Sequence, residues 1–286
     1  MVTPFDAQGQ IAFDVATELA QFLQNSGTEA LVVAGSTGEG TSLSDEEKLN
    51  LFAAVAAAVT IPVIAGSTSS DTARSVSLTR AVSGTGVAGV LATTPAYARP
   101  SQAGIAAHLS AVAESTDLPV MLYDIPSRTG RKIAAETSIA LARGHHNVVA
   151  LKDASGDLVG AAHVVQTVGS QLALYSGDDG LTLAFMAMGA VGVVSVASHW
   201  AGREFSAMVN AAAENRWDEA RRLNEVVAPS CRFESSDSYP NPLPAKSAMR
   251  QLGIPVGQCR LPLGSSDATL DALANETLAQ LTAARG

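Results

Sequence analysis

The sequence predicts an α/β protein, a (β/α)8 TIM barrel with a C-terminal helical appendage, and two observations carry that prediction. Short apolar runs recur with a rhythm of about thirty residues, at 30–34, 61–65, 87–92, 118–123, 148–151, 172–175 and 191–196. Alanine-rich segments of helical periodicity separate most of them, as at 45–59 and 102–114. Strand then helix at this spacing means right-handed βαβ units and a parallel sheet. A first strand clipped at residues 1–4 brings the count to eight, the number that closes a barrel. The rival doubly wound sheet needs a glycine-rich phosphate loop of fixed spacing. Gly35-Ser36-Thr37-Gly38-Glu39-Gly40 does not have that spacing.

The barrel is expected over residues 1–214. After about Asn215 the rhythm stops. Residues 216–227 form an amphipathic helical pattern, a loop with Pro240, Pro242 and Pro244 follows, and helical sequence returns at 268–285. Residues 215–286 are therefore expected to be a helical region packed on the barrel.

Composition narrows the function classes. With 47% hydrophobic and 16% charged residues, the 286-residue chain is globular and can bury a sizeable core. A net charge of -9 with no basic cluster excludes nucleic acid and anionic membrane as partners. No apolar stretch has the length of a membrane span, and the amino terminus lacks a basic-then-apolar signal pattern. Cys231 and Cys259 form neither a metal-ligand spacing nor a disulfide framework. A cytoplasmic, reduced protein is expected. The histidines (108, 145, 146, 163 and 199) are scattered, so no metal site is expected. His145 and His146 read as solvated loop residues.

One residue stands out. Lys152, one of four lysines, ends the apolar run Val148-Val149-Ala150-Leu151-Lys152. An ammonium there is costly unless paired or functional, and burial favours the neutral amine that attacks a carbonyl. The bland alternative is an ion pair with Asp153, but strand alternation puts residues 152 and 153 on opposite faces. The other lysines have ordinary settings: Lys48 follows an acidic helix start, Lys132 follows an arginine in a turn, and Lys246 follows a proline-rich stretch.

Barrel active sites lie at the carboxyl ends of the strands, and polar residues gather there. The segments are Gly35-Ser36-Thr37-Gly38-Glu39, Thr93-Thr94-Pro95-Ala96-Tyr97, Tyr123-Asp124-Ile125-Pro126-Ser127-Arg128, Lys152 and Ser176-Gly177-Asp178-Asp179. Tyr123 and Lys152 come from neighbouring strands, and a phenol beside an amine can shuttle protons during imine formation. Otherwise Tyr123 is a core aromatic. Ser36 and Thr37 would cap the next helix, or sit in a glycine-flanked loop whose N–H groups meet a small anion. Arg128 is either a surface arginine or a carboxylate clamp.

Together these segments, with Leu151-Lys152-Asp153, Ser127-Arg128-Thr129-Gly130 and Asn241-Pro242-Leu243-Pro244-Ala245-Lys246, resemble the signatures of the 4-hydroxy-tetrahydrodipicolinate (dihydrodipicolinate) synthases. Those enzymes belong to the pyruvate-dependent class I aldolase family that includes N-acetylneuraminate lyase. The resemblance implies a lyase of lysine and diaminopimelate biosynthesis, working without a cofactor. Lys152 would form a Schiff base with pyruvate, and the enamine would add to L-aspartate 4-semialdehyde. Tyr123 would move protons, with Ser36 linking it to Tyr97 from an adjacent subunit of a homotetramer. Thr37 would hold the pyruvate carboxylate, Gly177 and Val194 would line its pocket through their backbones, and Arg128 would hold the semialdehyde carboxylate.

Three positions depart from that family. Serine stands at 36 where threonine is more frequent, alanine at 96 where a tyrosine is common, and the first strand is clipped at Met1. Either the natural start lies upstream or the barrel closes with a short strand. The family's lysine-effector positions also differ: Ser70, Arg74, Asp45 or Lys48, and Ala96 replace an asparagine, a glutamate, a histidine and a tyrosine. Weak or absent inhibition by L-lysine is expected. The Ser36-Thr37 pair resembles neuraminate lyases and leaves an aldolase of a sialic acid or 2-keto-3-deoxy sugar acid as the alternative. A non-catalytic binding protein is opposed by the joint presence of Lys152, Tyr123, Tyr97 and Thr37.

Overall fold

The computed structural model describes residues 1–285. Among them are strands β1 (Leu31–Val33), β2 (Val63–Gly66), β3 (Gly89–Thr93), β4 (Val120–Asp124), β5 (Val148–Asp153), β6 (Ala173–Ser176) and β7 (Gly192–Val193). Each overlaps an expected apolar run. The chain forms two compact bodies, Ile64–Ser195 and the combination of Met1–Val63 with the chain from Val196 onwards.

In the body Ile64–Ser195, β2 to β7 pair in chain order and all in parallel. Helices Thr72–Val82, Gln102–Ala113, Ala135–Gly144, Leu158–Val168 and Thr182–Ala187 fill the connections. Sequential parallel pairing through helical crossovers is the order of a (β/α)8 barrel wall. Val90, Leu91, Ala92, Val120 and Leu122 are buried, as strands covered on both faces require. Asp71, Ser101 and Asp157 each cap a helix through a side-chain oxygen, which explains where those helices start.

The other body holds β1 and helices Phe13–Asn25, Asp45–Ala58, Ser198–Ala213, Trp217–Phe233, Leu243–Gln251 and Ala268–Ala284. Leu31 N donates to Pro62 O at 2.9 Å, setting β1 beside the approach to β2. Helix Asp45–Ala58 begins with a complete capping box between Ser44 and Glu47. Leu19, Leu51, Phe52, Val55 and Met208 are fully buried within this body. The helical region expected from residue 215 falls inside it.

Two expectations change. Residues 1–4 are not a strand, so seven strands replace the expected eight among the described residues. The segment is buried, but its donors point to scattered acceptors. The Met1 amino group donates to Val32 O at 2.8 Å, Val2 N donates to His199 Nε2 at 3.0 Å, and Pro4 has no N–H. Burial pushes the His199 imidazole down to about 3, with a smaller contribution from the amino terminus. The ring is therefore neutral, with Nε2 accepting from Val2 and Nδ1 facing Val196 O at 2.6 Å. The helix expected at 216–227 instead runs Trp217–Phe233, straight through Pro229. Packing holds the extra turns: Trp200 Nε1 donates to Ser230 Oγ at 3.0 Å, and the Trp200 and Phe233 rings meet edge-on at 5.7 Å.

Candidate active site

The register of β3 to β7 sets one row of residues: Thr93, Tyr123, Lys152, Tyr175 and Gly192. Residues paired this way share a face of the sheet. Lys152 and Tyr123 are both buried, and the lysine Nζ lies 4.1 Å from the centre of the tyrosine ring. Asp153, the candidate ion-pair partner, instead accepts from Ser155 N at 2.7 Å. Among the described residues no carboxylate forms an ion pair with Lys152. What its Nζ meets is an aromatic face, which attracts cations without neutralising them. Tyr175 flanks Lys152 on the side away from Tyr123. Sequence reasoning passed over it, although it ends its run just as Tyr123 does.

Asp124 and Asp153 follow the two central residues and are register partners on the opposite face. Burial pushes the Asp124 carboxyl up to about 7; Ile133 N, donating at 3.0 Å, opposes that, and Asp153 adds to it. Burial raises Asp153 as well, against its hydrogen bonds from Ser155. Lys132, the cation that acts on both carboxyls, is itself paired with Asp157.

Loop residues 35–40 carry Ser36 and Thr37, both half-buried. Ser44 takes the capping role for helix Asp45–Ala58, so the bland reading of Ser36 and Thr37 as its cap does not hold. The loop coils tightly: a Cβ on Gly40 would lie 2.0 Å from Ala34 O, so only glycine fits there. Thr3 Oγ1 donates to Gly38 O at 2.6 Å. Glu39 adopts a left-handed conformation, φ 54°, with its side chain fully buried. It meets Lys246 Nζ at 2.6 Å and accepts from Arg260 N at 2.8 Å. Lys246 also donates to Gln258 O and lies 4.2 Å over the Phe5 ring. Burial holds its amine below the usual lysine range, with Glu39 pulling the other way. The ordinary setting expected for Lys246 is therefore wrong, and Lys48 too is buried. Thr37 Oγ1 accepts from Asn241 Nδ2 at 2.9 Å. Asn241 and the Glu39–Lys246 pair were not assigned roles from sequence, because more than 200 positions of chain separate the partners and no local pattern links them.

Tyr97 lies in the loop after β3 with a φ of 69°, and it is 98% exposed. Its loop is laced to the one carrying Arg128. Arg99 Nε donates to Gly130 O at 3.0 Å, Arg131 Nη2 to Arg99 O at 3.2 Å, and Gln102 Nε2 to Lys132 O at 2.9 Å. Arg128 is exposed on the single-turn helix Pro126–Thr129, which Gly130 ends at φ 76°. Gly177 N donates to Asp153 O at 2.7 Å and Val194 N to Ser176 O at 2.8 Å, so these backbones have only carbonyls left to face a substrate. A Cβ on Gly177 would lie 2.9 Å from that of Ala154. An apolar cavity of about 200 Å³ lined by Ile64, Val90, Pro119, Met121, Ala150 and Tyr175 includes the amino ends of the strands and offers no nucleophile.

A buried lysine beside a tyrosine on adjacent parallel strands is an arrangement in which imine chemistry can run. The chain belongs to the dihydrodipicolinate synthetase family, whose model matches residues 1–281. It is 43% identical over 92% of its length to the 4-hydroxy-tetrahydrodipicolinate synthase of Moorella thermoacetica, covering 90% of that protein. It is 42% identical, over 92% and 91% of the two chains, to the synthase of Bacillus subtilis. Among solved structures, the Cyanidioschyzon merolae dihydrodipicolinate synthase with lysine bound superposes with a TM-score of 0.95 at 40% identity, covering 99% of this chain and 96% of that one. The Bacillus anthracis enzyme gives 0.93 at 40% identity, covering 98% and 95%. The barrel fold with its C-terminal helices is thus that of this family.

Proposed function

We propose that this chain is a lyase that condenses pyruvate with L-aspartate 4-semialdehyde to 4-hydroxy-tetrahydrodipicolinate, in lysine and diaminopimelate biosynthesis. The observation that carries the reading is the Lys152–Tyr123 pair, 4.1 Å apart, in a chain more than 40% identical to synthases of that name. The Lys152 amine attacks the C2 carbonyl of pyruvate, and water leaves as the imine forms. Loss of a C3 proton gives an enamine, whose carbon attacks the semialdehyde carbonyl. The amine of the adduct then displaces Lys152 and closes the ring. Tyr123 carries protons in these steps. Thr37 holds the pyruvate carboxylate, Gly177 and Val194 line its pocket, and Arg128 takes the carboxylate of the second substrate. No cofactor is required, since Lys152 supplies the covalent chemistry.

The protein acts in the cytoplasm as a homotetramer, a dimer of dimers. Tyr97 supports an assembly of more than one chain: its residue is 98% exposed on a backbone of positive φ, so its ring packs little against its own chain. It suits a ring that reaches a neighbouring subunit and joins Ser36 and Tyr123 in a proton relay. Lysine, bound in the Cyanidioschyzon merolae structure, is expected to act weakly here. Arg74 and Ser70 are exposed at the start of helix Thr72–Val82, and an arginine there repels the effector's ammonium.

An assay comparing aspartate semialdehyde with sugar aldehydes as acceptors tests the reading. Turnover of sugar aldehydes alone would move the chain to the sugar-acid aldolases. A failure to trap any imine would make it a binding protein.

A further inference from the structure

We propose that Asn241, in the helical C-terminal region, is a positioning residue that aims the Thr37 hydroxyl at the carboxylate of pyruvate. The inference rests on the reading of Thr37 as the carboxylate-binding residue. A hydroxyl has one proton and two lone pairs. Asn241 Nδ2, donating at 2.9 Å, occupies one lone pair of Thr37 Oγ1. The Thr37 proton then cannot be directed at Asn241 and is left to donate elsewhere, which is what an anionic substrate needs. Without Asn241 the hydroxyl rotates freely and presents lone pairs to the carboxylate part of the time.

The surroundings keep the two residues in register. Asn241 is buried, and five residues on, Lys246 holds Glu39, two residues beyond Thr37. Glu39 also accepts from Arg260 N. The segment 241–246 and the loop 35–40 are thus joined at both ends, by a hydrogen bond and by a buried ion pair. Breaking either contact would free the loop to move relative to Asn241. The Asn241-to-Lys246 motif, unexplained by the catalytic roles above, acquires a function through this clamp.

Steady-state kinetics on Asn241→Leu, Thr37→Val and the double variant test the proposal. Asn241→Leu is expected to raise the KM for pyruvate about ten-fold, the size of one charge-assisted hydrogen bond. The KM for the semialdehyde and the position of the trapped imine should not change. In the Thr37→Val background, Asn241→Leu should add nothing further, since it acts only through that hydroxyl. Asn241→Asp, nearly isosteric, replaces the donor by an acceptor and should raise the pyruvate KM more than Asn241→Leu; it also carries the test if the leucine variant folds poorly. If Thr37→Val raises the pyruvate KM but neither Asn241 variant does, the positioning role is overturned and the Thr37 reading stands. Equal effects of Asn241→Leu with and without the Thr37 hydroxyl overturn it too. A Thr37→Val enzyme with unchanged pyruvate KM removes both.

Discussion

Lys152 Nζ lies 4.1 Å from the centre of the Tyr123 ring, and the two residues are register partners on β5 and β4. On the proposed reading, one contact joins the nucleophile, the proton carrier and a π-face that attracts cations. The same face would stabilise the iminium of the proposed Schiff base.

Pyruvate and borohydride should label Lys152 alone, read by peptide mass spectrometry. Lys152→Ala should take no label and keep its fold. Tyr123→Phe should still be labelled but lose roughly 10²–10⁴ in kcat, the range for one acid–base group. A label on Lys48, Lys132 or Lys246 would remove the mechanism.

Mixing inactive Tyr97→Phe chains with inactive Tyr123→Phe chains should restore activity after reassembly. In a mixed dimer one site keeps both hydroxyls. Absence of recovery would mean that Tyr97 works within its own chain or not at all.

Asp124 makes stability depend on pH with a defined sign. Its folded-state value of about 7 lies above the ordinary carboxylate value, first because of burial and then through Asp153. Such a group contributes stability that is complete below the unfolded value, near 4, and is lost as pH rises through 7. Melting temperature should therefore fall from about pH 4 to about pH 7 and level off above it. Asp124→Asn should flatten that slope and at pH 8 should gain roughly 1–3 kcal/mol over wild type. Lys132 and Asp157 also face the group, so the comparison is best made with both intact. Parallel slopes in the two proteins would refute the assignment.

L-lysine titrated at saturating pyruvate should leave the rate nearly unchanged. On the effector positions that the resemblance implies, Arg74 would place a cation where the effector's ammonium needs an anion, and Ala96 would lack the ring and hydroxyl of a tyrosine. Clear inhibition at submillimolar lysine would show that Asp45 or another acid compensates.

By itself the sequence determined the order of elements, because strand and helix periodicities are local and repeat along the chain. It also marked Lys152, since an ionisable residue in an apolar strand is conspicuous wherever that strand ends up. Tyr123 followed because parallel neighbours place consecutive strand ends side by side. The register that makes Tyr175 the other neighbour of Lys152 was decided only by the tertiary structure, as were the neutral state of His199 and the raised carboxyl of Asp124. Each depends on burial and on partners that the local sequence does not name. Lys246 is the clearest case: after prolines it reads as an ordinary surface lysine, yet folding puts it 1% exposed against Glu39. Long-range ion pairs and hydrogen bonds leave no periodic trace, because nothing in the spacing of residues 39 and 246 records that they meet.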